Sequence, residues 1–176
     1  MTIPVEQLQS LNGFTIIELF ELKLIENIHY DQSNVPTVVT YKFHAGTNQI
    51  NTDIQWQNQT YNAIACKAEG FETGDNTIMA RPTLTFANNL GTFSTLIELV
   101  NQFSSFNDLA RAEVKRIRTL AQFLDDANFI GGSNTYGTAD STKELEQQEF
   151  LINKKVIENN EICTFELVNT IDFEDL

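Results

Sequence analysis

From Met79 to Gly91 the chain reads Met-Ala-Arg-Pro-Thr-Leu-Thr-Phe-Ala-Asn-Asn-Leu-Gly, and few arrangements accept such a run. Pro82 restricts Arg81 to extended geometry and removes one backbone donor. Beyond it, Leu84 and Phe86 point one way while Thr83 and Thr85 point the other, which is the period of a strand. Asn88-Asn89 and Gly91 then supply turn chemistry. A proline at the front predicts a strand start or an edge strand rather than the centre of a sheet. The run holds no nucleophile and no metal-ligand cluster, so what it contributes to function concerns assembly.

The same two-residue alternation recurs elsewhere. Phe14 to Leu24 predicts a strand buried on most of both faces, and Val35 to His44 reads as the clearest strand. Ile54 to Tyr61 predicts a tight hairpin with Gln57-Asn58-Gln59 at its tip and Trp56 and Tyr61 bracketing it. Ala63 to Phe71 continues as strand, with Gly70 and Gly74 for a bulge or turn. Glu149–Glu158 and Glu161–Phe173 form a hairpin around Asn159-Asn160. Helical signals are fewer. Ile3 to Ser10 reads as a short helix with Pro4 in its first turn. Leu96, Leu99, Val100 and Phe103 predict a helix over 92–106, capped by Thr92 or Ser94. Residues 111–125 fit both periods, with Val114, Ile117, Ala121 and Leu124 as a helical stripe. Ile130 to Thr142, rich in Gly, Ser, Asn and Thr, predicts an exposed loop. The fold class is mainly β, an antiparallel barrel or sandwich with one or two short helices. The whole chain, 1–176, forms one domain, with 92–140 either a lobe or an excursion of it.

Charge narrows the function. With 24 acidic and 11 basic residues the net charge is −13, which is unsuited to tracking a phosphate backbone or an anionic bilayer. Such a surface keeps a free subunit soluble. Nucleic-acid partners and membrane insertion are therefore not expected. Apolar runs fall far short of the roughly 20 residues a membrane span requires. The start, Met1-Thr2-Ile3-Pro4-Val5-Glu6, has no basic segment followed by an apolar one, so no export signal is read there. Cys66 and Cys163 form neither a disulfide framework nor a CxxC site, and are expected as buried thiols.

A search for catalytic chemistry finds little. His29 lies in a polar loop and His44 ends a strand; both are expected at the surface or half-buried, and neither is at metal-ligand spacing from a Cys, Asp or Glu on its own element. Asp125-Asp126 and Glu174-Asp175 are adjacent in sequence, so on a strand the members of each pair face opposite sides. Gly70 to Asn76 has the oxygens of a calcium loop in the wrong order. Gly131-Gly132-Ser133 lacks the strand–turn–helix setting of a nucleophile elbow. An enzyme is not expected.

Four pieces in order carry a resemblance: the Trp56–Tyr61 hairpin followed by Gly70-Phe71-Glu72; Arg81-Pro82-Thr83-Leu84-Thr85-Phe86-Ala87-Asn88 with its glycine shortly after; Val114-Lys115-Arg116 running on to Gln122-Phe123-Leu124-Asp125-Asp126-Ala127-Asn128-Phe129; and a closing Phe165-Glu166-Leu167. On these pieces the chain resembles, over roughly residues 14–173, the minor tail protein L family of lambda-like long-tailed bacteriophages, in its N-terminal part. The resemblance implies a tail-hub-like β-rich fold, a strand for Val114–Leu124, a place in the virion tail after synthesis in the host cytoplasm, and no catalytic residues. It implies a homotrimer in the assembled tail, lying between the distal tail ring protein and the central hub or fibre protein. Members of the family carry a cysteine-rich C-terminal region associated with an iron–sulfur cluster. Four thiolates are needed for an ordinary cluster, and with two cysteines this chain should carry no cofactor.

The residues expected at an interaction surface are Trp56, Tyr61, Arg81, Pro82, Arg116, Arg118 and Tyr136, on the hairpin, the Arg81-Pro82 strand, residues 114–118 and the 130–142 loop. Trp56 and Tyr61 have a second reading as a cross-strand pair holding the hairpin, and Arg116 and Arg118 as internal salt bridges. Edge strands are expected to be guarded by Pro82 and by charges. A rival reading is a β-sandwich adhesin or carbohydrate-binding module using Tyr30, Trp56, Tyr61 and Tyr136 as exposed aromatics. A third, a peptidoglycan hydrolase, would have to rest on His29 or His44.

Overall fold

β-branched and aromatic residues at alternating positions build nine strands and one α-helix in a computed structural model that describes residues 15–46, 52–71, 81–103 and 107–170. The strands are β1 (Ile16–Lys23), β2 (Thr40–His44), β3 (Ile54–Trp56), β4 (Gln59–Ala63), β5 (Cys66–Glu69), β6 (Thr83–Ala87), β7 (Glu113–Leu120), β8 (Gln148–Glu158) and β9 (Ile162–Asn169). The helix is α1 (Thr92–Phe103), and short 3-10 turns follow β7 at Ala121–Phe123 and Asp126–Asn128. Among the described residues the sheet is mixed and does not close into a barrel, so the sandwich-like alternative fits. The predicted first helix, Gly74, Asp75-Asn76 and the chain beyond Thr170 lie outside the described residues.

The chain divides into two compact units, each drawn from three segments. Unit 1 takes residues up to Phe20, Lys42–Ile64 and Lys115–Gln148; unit 2 takes Glu21–Tyr41, Ala65–Val114 and Glu149 onward.

In unit 1 the β3–β4 hairpin forms as predicted. Gln57 and Asn58 both adopt positive φ (52° and 59°), the two-residue turn whose twist matches that of the strands it joins. Its register places Ile54 opposite Tyr61 and Trp56 opposite Gln59. Trp56 and Tyr61 are therefore not a directly opposed pair. Instead both enter one apolar cluster with Ile17, Leu19, Ile54, Ile117, Leu120, Phe123 and Leu124. β4 then pairs in parallel with β2, Phe43 opposite Asn62, where a purely antiparallel meander was expected. β2 itself covers only the second half of the predicted strand, and Val35 and Val38 are exposed. The ambiguous stretch 111–125 resolves as β7 plus a 3-10 turn. Val114 and Ile117, three apart and so on opposite faces of the strand, are both buried (1% and 4% exposed), with Val114 counted in unit 2.

In unit 2 the strands run β5–β6–β9–β8, all antiparallel. β6 is flanked on both sides, so Pro82 marks a strand start and not an edge. Having no N–H to offer, it contributes its carbonyl, which accepts from Leu167 N at 2.7 Å. Phe86 stands in register between Cys66 and Cys163. Two strand spacings, roughly 10 Å, separate the thiols, beyond the reach of a disulfide. Cys163 is buried, and burial pushes its thiol up to about 12; Cys66 is only half-buried, against expectation. Phe86 stacks on Phe93 of α1 at 4.0 Å and meets Phe165 edge-on at 6.2 Å. Burying one such side chain stabilises by about 1.5–3 kcal/mol. The buried face of α1 is Phe93, Leu96, Ile97 and Val100; Leu99, counted in the predicted stripe, is 43% exposed.

Candidate assembly surface

Both histidines are buried, at 2% and 1% exposure, where surface or half-buried positions were expected. Each is wired into loop backbone in the same way. His29 Nδ1 accepts from Ile25 N at 2.8 Å and its Nε2–H donates to Ala110 O at 3.0 Å. His44 Nδ1 accepts from Gly46 N at 3.1 Å and its Nε2–H donates to Thr52 O at 3.0 Å. A backbone amide can only donate and a carbonyl can only accept, so both rings are held as the neutral Nε2–H tautomer. Burial lowers both pKa values, against the raising effect of the carbonyl bonds. These rings pin loops and are closed to a substrate. Among the described residues, no three His, Cys, Asp or Glu side chains converge as a metal site.

The seven side chains expected at an interaction surface separate by burial. Trp56 (0% exposed) and Tyr61 (2%) lie in the core of unit 1, and Pro82 is buried in unit 2. This also removes two of the four aromatics on which a carbohydrate platform would rest. The Trp56 indole N–H has no acceptor among the described residues, so its burial is driven by apolar area and works against an unmet hydrogen bond. Arg116 is tied down as the salt-bridge reading has it: its guanidinium pairs with Glu18 and donates to Gln148 Oε1 at 2.8 Å. Arg118 sits beside it, half-buried, where burial and then the Arg116 charge hold its pKa below the usual guanidinium value. Arg81 is largely exposed and reaches Glu166 Oε1 at 3.3 Å. Tyr136 is 69% exposed.

Unit 1 thus holds Trp56, Tyr61, Arg116, Arg118 and Tyr136, and unit 2 holds Arg81 and Pro82. Only Arg81 and Tyr136 present most of their surface. Two asparagines of unit 1 that hold chain in place, Asn128 and Asn134, escape sequence reasoning, while Ile130 lies on the loop already expected at the interaction surface. Asn128 offers its amide to both outward groups of Gln55: Gln55 N donates to Asn128 Oδ1 at 2.6 Å, and Asn128 Nδ2 donates to Gln55 O at 2.7 Å. It stands in for a neighbouring strand beside β3, so this edge is guarded by an asparagine rather than by a proline or a charge. Asn134 is buried in the otherwise exposed 130–142 loop, and Ile130 is fully exposed. No composition signal separates these from ordinary loop residues; Gly131-Gly132 beside Ile130 is the nearest hint of a tight corner.

Among the described residues, no helix is long and apolar enough to cross a membrane. The phage minor tail protein L family model matches residues 33–175. A 105-residue stretch is 30% identical to the tail tip protein L of Escherichia phage lambda, covering 60% of this chain and 41% of that relative. The chain therefore spans about two fifths of the length of the relative it matches. With a match running through both units, the chain belongs to the phage minor tail protein L family and is a structural protein of the phage tail.

Proposed function

We propose that this chain is a non-catalytic building element of a bacteriophage or prophage tail tip, lying between the distal tail ring protein and the central hub or fibre protein and present in three copies in the finished tail. The observation that carries this is the family match over residues 33–175. The disposition of polar groups supports it: histidines, asparagines and arginines spend their hydrogen bonds on the protein's own backbone, amide and carboxylate groups. With its two cysteines, Cys66 and Cys163, two strand spacings apart, the chain binds no iron–sulfur cluster of its own. Its acidic charge keeps the subunit soluble in the host cytoplasm until it joins the tail.

A tagged chain expressed in cells producing the encoding phage tests the reading. Affinity purification is expected to recover the distal ring and hub proteins, with three copies of the chain per tail by quantitative mass spectrometry. Recovery of no tail protein would overturn it. Consistent hits on a glycan array would instead favour the adhesin reading.

A further inference from the structure

Resting on the tail-assembly reading, we propose that Ile130 and Tyr136 form an apolar knob of unit 1 that seats in an apolar socket edged by lysine or arginine on a different tail-tip protein. Ile130 is fully exposed and Tyr136 is 69% exposed, with the Tyr136 ring lying 5.8 Å from that of half-buried Phe129. Exposed apolar side chains are common singly, but these stand on a loop built to hold them.

The corner carrying Ile130 is a closed turn. Gly132 N donates to Phe129 O at 3.0 Å, and Gly131 takes φ 88° at the position that favours glycine. Beneath it, buried Asn134 gathers the chain. Its Nδ2 donates to the carbonyls of Ala121, Gln122 and Leu124 at 3.2, 3.1 and 3.0 Å, and its Oδ1 accepts from Tyr136 N at 2.9 Å. Its own N–H donates to Asp126 Oδ1 at 2.7 Å. Gly137 packs so closely that a Cβ there would lie 3.0 Å from Gln122 Cβ and O, and Asp140 N donates to Phe123 O at 3.0 Å. A knob held this firmly loses little conformational freedom when it docks.

Charge selects the occupant. From Asp125 to Lys143 the chain has three aspartates, Asp125, Asp126 and Asp140, and one basic residue, Lys143, so the stretch is net acidic. A complementary socket is positive at its rim. A second copy, from a chain of net charge −13, would set these aspartates against their own kind, and an anionic bilayer would repel them.

Complementation in the encoding phage tests this. Ile130→Ser removes surface that supports nothing inside the fold, so the variant should melt like the parent while its incorporation into tails falls about tenfold or more, as for a central contact residue. Ile130→Val should retain most of it. A benzoyl-phenylalanine photocrosslinker placed at position 130 should capture a different tail protein, at a peptide bearing Lys or Arg. Capture of a second copy or of lipid, or normal incorporation of Ile130→Ser, would overturn the knob. If deleting the gene abolishes tails while Ile130→Ser restores them, only the knob falls. If deletion leaves complete, infectious tails, the tail-assembly reading falls with it.

Discussion

Unit 1 and unit 2 hold their irregular chain by different means. In unit 1, where the strands are short, side-chain amides do it: Asn128 plugs the outward backbone of Gln55, and Asn134 collects three carbonyls from the turn after β7. In unit 2 the β5–β6–β9–β8 ladder is longer, and α1 is fixed by stacked rings and an ionic network as well as by the amides of Asn88 and Asn101, which bond Ser94 and Asp108. Lys155 Nζ reaches Asp108 Oδ2 at 3.1 Å and Glu158 Oε2 at 2.5 Å, while Ser94 Oγ donates to Glu158 Oε1 at 2.6 Å. Lys155, then Ser94, keeps the Glu158 carboxyl below its ordinary pKa. Local amide bonds position a loop without much area; ring stacking and a longer ladder supply area. The difference predicts where each unit is fragile.

The sharpest break in the comparison comes from one ring and one amide. Phe86→Ala removes the residue between Phe93 and Phe165 and is expected to cost about 3–5 kcal/mol. Asn134→Ala removes the donor from Leu124 O, at a buried bond, and from the carbonyls of Ala121 and Gln122, at part-buried ones, of which Ala121 O keeps Leu124 N; it is expected to cost about 1–3 kcal/mol. Trp56, the single tryptophan, reports on unit 1 alone. Following urea unfolding by its fluorescence and by far-ultraviolet circular dichroism separates the two losses. Phe86→Ala should shift the dichroism midpoint at least as far as the fluorescence midpoint. Asn134→Ala should show its full shift in fluorescence. Fluorescence and dichroism midpoints that coincide for both variants would mean that the units unfold as one cooperative core.

Acid is a gentler lever, and it strikes both units alike. His29 in unit 2 and His44 in unit 1 have folded pKa values below the ordinary 6.5, chiefly through burial. Arg111 adds to the effect at His29, and Asp53 opposes it at His44. Above pH 6.5 both rings are neutral in either state and their contribution is complete. As pH falls below 6.5 the unfolded chain takes up protons first. Stability then declines by at most about 1.4 kcal/mol per pH unit for each ring, until the folded rings also titrate. Urea midpoints at pH 7.5 and 5.5 should show this decline, and equal midpoints would refute it. The carboxylates with lowered pKa values, Glu158 and Glu166, titrate at lower pH than this interval.

What the sequence revealed follows the same division. In unit 2, β6, α1 and the β8–β9 hairpin are carried by strong local signals: a proline start, a 3.6-residue apolar stripe, and an Asn159 turn whose side chain accepts from Glu161 and Ile162. β7 reads both ways because Val114, Ile117, Ala121 and Leu124 fit a helical stripe while Glu113, Lys115, Ile117, Thr119, Ala121 and Phe123 share one side of a strand, and only strand neighbours decide between them. Val35 and Val38 read as strand because β-propensity does not record whether a partner strand is available. The site was less legible than the fold. Trp56 and Tyr61 bracket a polar tip and so read as exposed, but registry turns both inward; Asn128 and Asn134 do their work through contacts that no spacing rule encodes.

Arg81 gives the smallest expected effect and the most pointed use of the comparison. Its guanidinium is 61% exposed and meets Glu166 at 3.3 Å, but Glu166 also accepts from Asn153 at 2.7 Å and lies 3.7 Å from Lys154 Nζ. An exposed ion pair contributes about 0–1 kcal/mol, and here the carboxylate keeps two partners when Arg81 is removed. Arg81→Ala should therefore move the urea midpoint of unit 2 barely at all. A large stability loss would mean that Arg81 anchors the β6 entrance in a way its geometry does not express. If stability holds while incorporation into tails falls, the arginine faces a partner, and unit 2 contributes a contact of its own. If both are unchanged, the exposed contacts of this chain concentrate in unit 1, on the loop that Asn134 holds.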